Sequence, residues 1–255
     1  MPILQHDIIT PDMAAAFVFT ILNEEQRERF GREKEIDLSY NFRDRARFRV
    51  NAFFQRGFIG AALRLIPTKI RTFEELQLPP IIESFAAFTQ GFLLVTGPTG
   101  HGKSTTLAAL IDYINHARAD HIMTIEDPIE YLFTSDRATI DQREVGSDTL
   151  DFHKALKSMF REDVDVAMVG EMRDVETVGT AVTAAETGHF IVSTLHTNNA
   201  SQTIDRIIDI FEPNQQNQIR SQLASTLIGI VSQRLIPRIN GGLVPAVEVM
   251  MANTA

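Results

Sequence analysis

The chain has 255 residues, 44% of them hydrophobic, enough for one large domain or two modest ones with sizeable cores. No window approaches 18 uninterrupted apolar residues, so no segment reads as a membrane span, and Gln5, His6 and Asp7 break any signal-peptide core after Met1. The absence of cysteine excludes disulfides and thiolate metal sites and fits a reducing compartment, and the net charge of −9 argues against a nucleic-acid groove, which needs a basic footprint.

In chain order, Thr10-Pro11-Asp12 predicts a helix start, with Thr10 as cap, Pro11 at the first helical position and residues 14–22 as the apolar body. Asn23 followed by Gln26 three residues on predicts a capping box and a second short helix ending near Phe30-Gly31. A charged connection then leads into strands. Residues 45–54 (RARFRVNAFF) alternate: Phe48, Val50 and Ala52 share one face, and Arg45, Arg47, Arg49 and Asn51 the other. Residues 57–66 alternate as well, with Ile59, Ala61, Leu63 and Leu65 expected inward and Arg64 outward. Two such strands display arginines on a polar face; a solvated surface and a set of charge-stabilising groups for phosphate transfer both fit, and composition does not choose. Residues 67–72 read as a linker, Thr72 to Glu75 as the start of a short helix, and residues 81–89 as a further helix after Pro79-Pro80. The domain boundary is expected between Ile66 and Arg71.

Phe92 to Thr96 is a short apolar run that predicts a buried strand, and Leu107, Leu110, Ile111 and Ile114 follow at helical spacing. Between them Gly97-Pro98-Thr99-Gly100-His101-Gly102-Lys103-Ser104 fits G-x-x-x-x-G-K-[ST], and Thr105 continues it. Glycines let the backbone turn its N–H groups inward, and the helix N-terminus adds partial positive charge where phosphates sit. Lys103 is placed to reach β- and γ-phosphates and the Ser104 hydroxyl to ligate Mg²⁺.

Beyond this loop, residues 121–125 form a second apolar strand ending in Glu126-Asp127-Pro128-Ile129-Glu130, where carboxylates can position water or Mg²⁺. Residues 139–144 read as a short strand, and residues 149–160 as an amphipathic helix with Leu150, Phe152, Leu156 and Phe160 near one face. Residues 164–169 form a third core strand. Gly170 then stands where a Walker B acid is expected, with Glu171 one residue later; Asp165 reads as structural. Residues 175–187 form a helix stopped at Gly188, and residues 189–195 a fourth strand followed by His196-Thr197-Asn198-Asn199. His196 at that strand end is a candidate γ-phosphate sensor, and His189 a second. No histidine pair has metal-ligand spacing, so the only metal inferred is the nucleotide's Mg²⁺. Residues 200–211 and most of 213–230 read as helical, and residues 243–251 as a final strand. Alternating strands and helices predict an α/β fold with a mostly parallel sheet covered on both faces.

With these residues in place, the chain resembles the motor ATPases of the secretion superfamily, most closely the retraction ATPases of type IV pili. The resemblance rests on GPTGHGKST, on TIEDPIEY at 124–131 (the aspartate box), on QREVG at 142–146, on VGEMRD at 169–174 (an atypical Walker B) and on AAETGHFIVSTLHTNNA at 184–200 (the histidine box). It covers the chain from about Arg45 onward. It implies a RecA-like P-loop ATPase core over residues 68–255 and a smaller, partial PAS-like N-terminal α/β domain over residues 1–67, assembled as a homohexamer with ATP between the domains and near the neighbouring subunit. The family's first strands and its C-terminal helical region are expected to be missing. In RFRVNAF and ALRLIP the family's arginine fingers fall on Arg49 and Arg64; its catalytic glutamate matches Glu130, and its Mg²⁺-side glutamate matches Glu171. His189 and His196 stand at both expected places of the histidine box.

The resemblance further implies hydrolysis of Mg·ATP that drives pilus retraction (twitching motility), with an inner-membrane pilus platform protein as partner and a cytoplasmic location at the inner face of the cytoplasmic membrane, reached only through partners. A pilus assembly or type II secretion ATPase is the alternative; those relatives carry a four-cysteine zinc module soon after the stretch matching Gln233-Arg234-Leu235-Ile236, whereas Pro237-Arg238-Ile239-Asn240-Gly241-Gly242 follows here. A nucleic-acid translocase is disfavoured by the acidic balance, so nucleic acid is not expected as a partner. A non-hydrolysing adaptor that binds ATP only to assemble is the remaining reading.

Overall fold

The computed structural model describes residues 8–43, 46–67 and 69–253; Arg45, expected on the arginine face, and Thr68, in the expected linker, lie outside them, as do the first seven residues. The chain divides into two compact units, one up to Thr68 and one from Lys69 on.

In the first unit, α1 (Pro11–Ile21) starts where Thr10 accepts a hydrogen bond from the Met13 amide, and α2 (Glu24–Glu33) starts on a capping box between Asn23 and Gln26. The second helix continues beyond Gly31 to Glu33 and ends with Lys34 in a left-handed conformation. Strands β1 (Glu35–Phe42), β2 (Ala46–Gln55) and β3 (Phe58–Ile66) form an antiparallel sheet in the order β1-β2-β3. Val18, Leu22, Phe30, Ile36, Leu38, Val50 and Ala52 make its core. Ile59 and Ala61 pack against that core as expected, but Leu63 and Leu65 do not: they are 40% and 59% exposed. They lie opposite Val50 and Phe48 and so share the core-side face, but there the helices leave that face uncovered; Ile66 is buried instead.

The second unit begins with α3 (Phe73–Leu76), whose first turn is closed by a capping box between Thr72 and Glu75, and α4 (Pro80–Ser84), which passes into a 3₁₀ turn at Phe85–Ala87 rather than continuing to residue 89. A seven-stranded sheet comes next, ordered β10-β9-β4-β8-β7-β5-β6. Its strands are β4 (Gly91–Thr96), β5 (His121–Glu126), β6 (Thr139–Glu144), β7 (Val166–Val169), β8 (Phe190–Leu195), β9 (Leu227–Pro237) and β10 (Leu243–Met251), and every pair is parallel except β9 with β10. The intervening helices are α5 (Lys103–Ala117), α6 (Phe152–Met159), α7 (Val175–Glu186), α8 (Ala200–Asp209) and α9 (Gln216–Thr226).

Strands of a sheet covered on both faces read as continuous apolar runs, and all six residues of β4 are buried. Phe92 and Leu94 face α6 to α9 together with Met123, Val169 and Ile191; Leu93 and Val95 face α3 to α5 together with Ile122, Met168 and Val192. Each such side chain removed from water contributes about 1.5–3 kcal/mol. Two expectations fail here. The helix expected across residues 213–230 ends at Thr226, and the chain passes directly into β9, inserted beside β4; an apolar run such as Leu227-Ile228 through Val231 fits either element until its neighbours are known. Leu150 is 72% exposed because Asp151 caps α6 and leaves it outside the helix.

Candidate nucleotide-hydrolysing site

Strands β4, β8, β7 and β5 run in one direction, so their carboxyl ends line a single edge of the sheet. Four loops leave that edge: residues 97–102 after β4, 127–138 after β5, 170–174 after β7 and 196–199 after β8. Open α/β sheets bind their ligands in this position.

The loop after β4 wraps the N-terminus of α5, a fifteen-residue helix whose first turn holds Lys103 and no acid. Unpaired N–H groups and helix polarity there favour an anion. Lys103 is 7% exposed, and its ammonium donates to the carbonyls of Gly97 at 2.9 Å and Pro98 at 3.0 Å and lies 3.3 Å from His196 Nδ1. Burial pushes its pKa down, while the carboxylates of Glu130 and Glu171 push it back up. His196 thus stands against Lys103, and the loops carrying Glu130 and Glu171 leave the same edge of the sheet. The His196 pKa is lowered by burial first and then by Lys103, with Arg173 adding to the effect and Glu171 opposing it. A neutral ring fits this geometry, Nδ1 accepting from Lys103 and the Thr99 hydroxyl standing 3.4 Å away.

Glu171 is partly buried and paired at 2.7 Å with the exposed Arg173. Gly170 follows β7 directly, its N–H donating to the Ile125 carbonyl and its carbonyl accepting from the Thr194 hydroxyl, and the acid stands one residue later. Glu130 is exposed on the loop after β5. Ser104 and Thr105 are half-buried in the first turn of α5, and Thr105 Oγ1 is 2.8 Å from the Tyr131 hydroxyl. Asp165 is structural, its carboxylate accepting from the His121 amide at the far end of β5.

His189 is not part of this cluster. It precedes β8, whereas His196 follows it, and the six residues between them span about 20 Å at ~3.3 Å each. Its Nδ1 faces the Ala184 carbonyl at 3.0 Å and its ring stands edge-on to Phe160. Within one chain it stands at the other end of β8 from the loop that carries His196. Arg49 and Arg64 belong to the first unit, where they sit directly opposite each other on β2 and β3, Arg49 half-buried and Arg64 exposed.

Sequence reasoning missed Gln233. This β9 side chain is 3% exposed; it accepts from the Thr106 hydroxyl at 2.7 Å and donates to the His101 carbonyl at 2.8 Å, and two residues on the Leu235 amide donates to His101 Nδ1 at 2.9 Å. Thr96 donates to Ser232 at 3.0 Å on the same strand pair. A glutamine inside an apolar strand was the available signal. β9 thus clasps the phosphate loop from behind, and the main chains approach so closely that a Cβ on Gly97 would lie 2.2 Å from the Gln233 carbonyl oxygen.

A glycine-rich loop at a helix N-terminus, a buried lysine at its start and carboxylates on two neighbouring loops of the same sheet edge define a P-loop ATPase. The family model described as type II/IV secretion system protein matches residues 28–243, and the chain belongs to that family. It is 48% identical over 240 residues to the type IV pilus retraction ATPase PilT of Pseudomonas aeruginosa, covering 94% of this chain and 70% of that one. To a twitching motility protein of Neisseria gonorrhoeae it is 46% identical over 250 residues, covering 96% and 67%. A crystal structure of the pilus retraction motor PilT with bound ADP superposes with a TM-score of 0.93 at 50% identity, covering 96% of this chain and 71% of that one. The fold, the site and these relatives make the chain a nucleotide-binding ATPase. Among the described residues no helix is long and apolar enough to cross a membrane.

Proposed function

We propose that the chain is the ATP-hydrolysing part of a hexameric motor that drives retraction of a type IV pilus, working from the cytoplasmic side of the membrane against an inner-membrane platform protein. The observation that carries this reading is a buried Lys103 in contact with His196, at the sheet edge from which the loops of Glu130 and Glu171 also leave, within a chain similar to retraction motors along nearly its whole length. The domain arrangement proposed is a partial PAS-like domain over residues 1–67 and a RecA-like domain over residues 68–255.

In this reading the amides of residues 97–105 and the Lys103 ammonium bind the phosphates of ATP and neutralise their charge. Glu130, exposed on the loop after β5, orients a water and accepts its proton. Among the described residues no cluster of three or more acids or histidines could hold a metal unaided, which fits Mg²⁺ held largely by phosphate and water, with the Ser104 hydroxyl and Glu171 as its protein partners. Mg²⁺, when bound, supplies positive charge to the phosphate oxygens. His196, already in contact with Lys103, changes partner when phosphate arrives and so reports occupancy. Arg49 and Arg64, side by side on β2 and β3, supply the arginine pair that stabilises the transferring phosphate in the assembled ring.

The alternative is an assembly or type II secretion ATPase. The turn between β9 and β10 favours retraction: it closes within residues 238–242, the Arg238 amide donating to the Gly242 carbonyl, where the zinc-bearing relatives carry their cysteine module. The test of the site is Lys103→Ala in a phosphate-release assay. Turnover is expected to vanish, and undiminished turnover would refute the assignment.

A further inference from the structure

The loop that carries Glu130 has no regular structure, yet its backbone is held at four points by side chains from the strands beneath it. Glu126 and Glu144 end β5 and β6 directly opposite one another, and each is 5% exposed. Glu144 Oε2 accepts from the Ile129 amide at 3.0 Å, and Glu126 Oε2 accepts from the amide of Glu130 itself at 3.1 Å. Gln142 accepts from the Phe133 amide at 2.9 Å and donates to the Tyr131 carbonyl at 2.8 Å. It also donates to Glu126 Oε1 at 3.3 Å, which receives the Thr124 hydroxyl at 2.8 Å as well.

Glu126 therefore faces three donors and no cation among its hydrogen-bond partners. A carboxylate is suited to this, because it only accepts when ionised; an amide of the same shape must turn an NH₂ toward at least one of the three. Burial of the carboxyl raises its pKa, and the three donors act against that rise. Such a group is costly to keep beneath a loop that solvent would otherwise hydrate.

We propose that Glu126 is a positioning residue for Glu130: it fixes the main chain of the water-orienting glutamate against the end of β5, while Gln142 holds the residues on the far side. The idea rests on Glu130 being the group that orients water. Misplacing a reacting group by about 1 Å can cost roughly a hundredfold in rate, so a displaced Glu130 amide should be read in turnover and not in nucleotide affinity.

The experiment is a double-mutant cycle on the purified chain, with Glu126→Gln, Glu130→Gln and the pair, measuring phosphate release and binding of a fluorescent ATP analogue. Glu126→Gln is expected to lower kcat about tenfold or more with analogue affinity kept within about twofold, and to take nothing further once Glu130 is already glutamine. Glu130→Gln without effect on kcat overturns the assignment of Glu130 and this proposal with it. If Glu130→Gln is slow but Glu126→Gln turns over normally, or if the Glu126 loss is the same in both backgrounds, the positioning role alone is wrong. Should Glu126→Gln lose its cooperative melting transition, Gln142→Ala replaces it in the same cycle under the same criteria.

Discussion

The close approach of β9 to the phosphate loop gives the sharpest stability prediction. Gly97 has φ +144°, and a Cβ there meets the Gln233 carbonyl oxygen at 2.2 Å; Gly100, with φ +79°, has open space around the same position. Alanine at Gly100 costs only the left-handed backbone, about 1–2 kcal/mol. Alanine at Gly97 carries a backbone penalty of about 1–3 kcal/mol, and a further ~1–3 kcal/mol because β4 or β9 must move to make room. For a protein of this size each kcal/mol lowers Tm by about 2–4 °C, so the mid-range expectation is a drop of about 12 °C for Gly97→Ala against about 5 °C for Gly100→Ala. Calorimetry without nucleotide makes the comparison, since bound ligand would add its own stabilisation. If the two variants melt within about 2 °C of one another, the β9 contact does not constrain the loop and the reasoning fails.

Gln233→Leu leaves the Thr106 hydroxyl and the His101 carbonyl without their partner, each at about 1–3 kcal/mol, and should both destabilise the chain and weaken nucleotide binding; unchanged affinity in a nucleotide titration would count against the clasp. The depressed pKa of His196 means that the unfolded chain binds this proton more readily, so its contribution to stability falls as pH drops through the ordinary histidine range. Urea unfolding of the parent and of His196→Gln should accordingly diverge between about pH 7.5 and 5.5, the parent losing more; parallel curves would contradict the assignment. Arg49→Ala and Arg64→Ala, in the assembled protein, should each slow phosphate release by up to about 10³ while nucleotide affinity holds, and full activity in both would remove them from the mechanism.

The parts of the site that were legible in the sequence are those where one short segment carries both structure and chemistry. The run from β4 through the glycine loop into α5 needs no distant partner to be recognised, and the caps at Thr10, Asn23 and Thr72 are local hydrogen bonds between residues three apart. The features that escaped depend on neighbours far along the chain. β9 could not be told from a helix without β4 beside it, and Gln233 means little until His101 and Thr106, more than 125 residues earlier, stand against it. His189 was misplaced for a related reason: residues before and after a strand sit at opposite edges of a parallel sheet, and spacing along the sequence does not display that separation. Leu63 and Leu65 alternate correctly, but alternation says which face a side chain takes and not how far the helices extend over it.

The position of β9 also bears on the order in which this protein can become competent. Among the described residues, the strand that backs the phosphate loop follows every other strand of its sheet except β10, and the Thr96–Ser232 bond joins residues 136 apart. A chain leaving the ribosome carries its Walker A residues exposed for as long as the next 130 or so residues take to appear, on the order of ten seconds at typical synthesis rates. Until residue 233 stands next to the end of β4, the nascent loop lacks its rear wall. Insertion of β9 between β4 and β10 is a non-local event of the kind that folds slowly, and the rear wall of the loop waits on it.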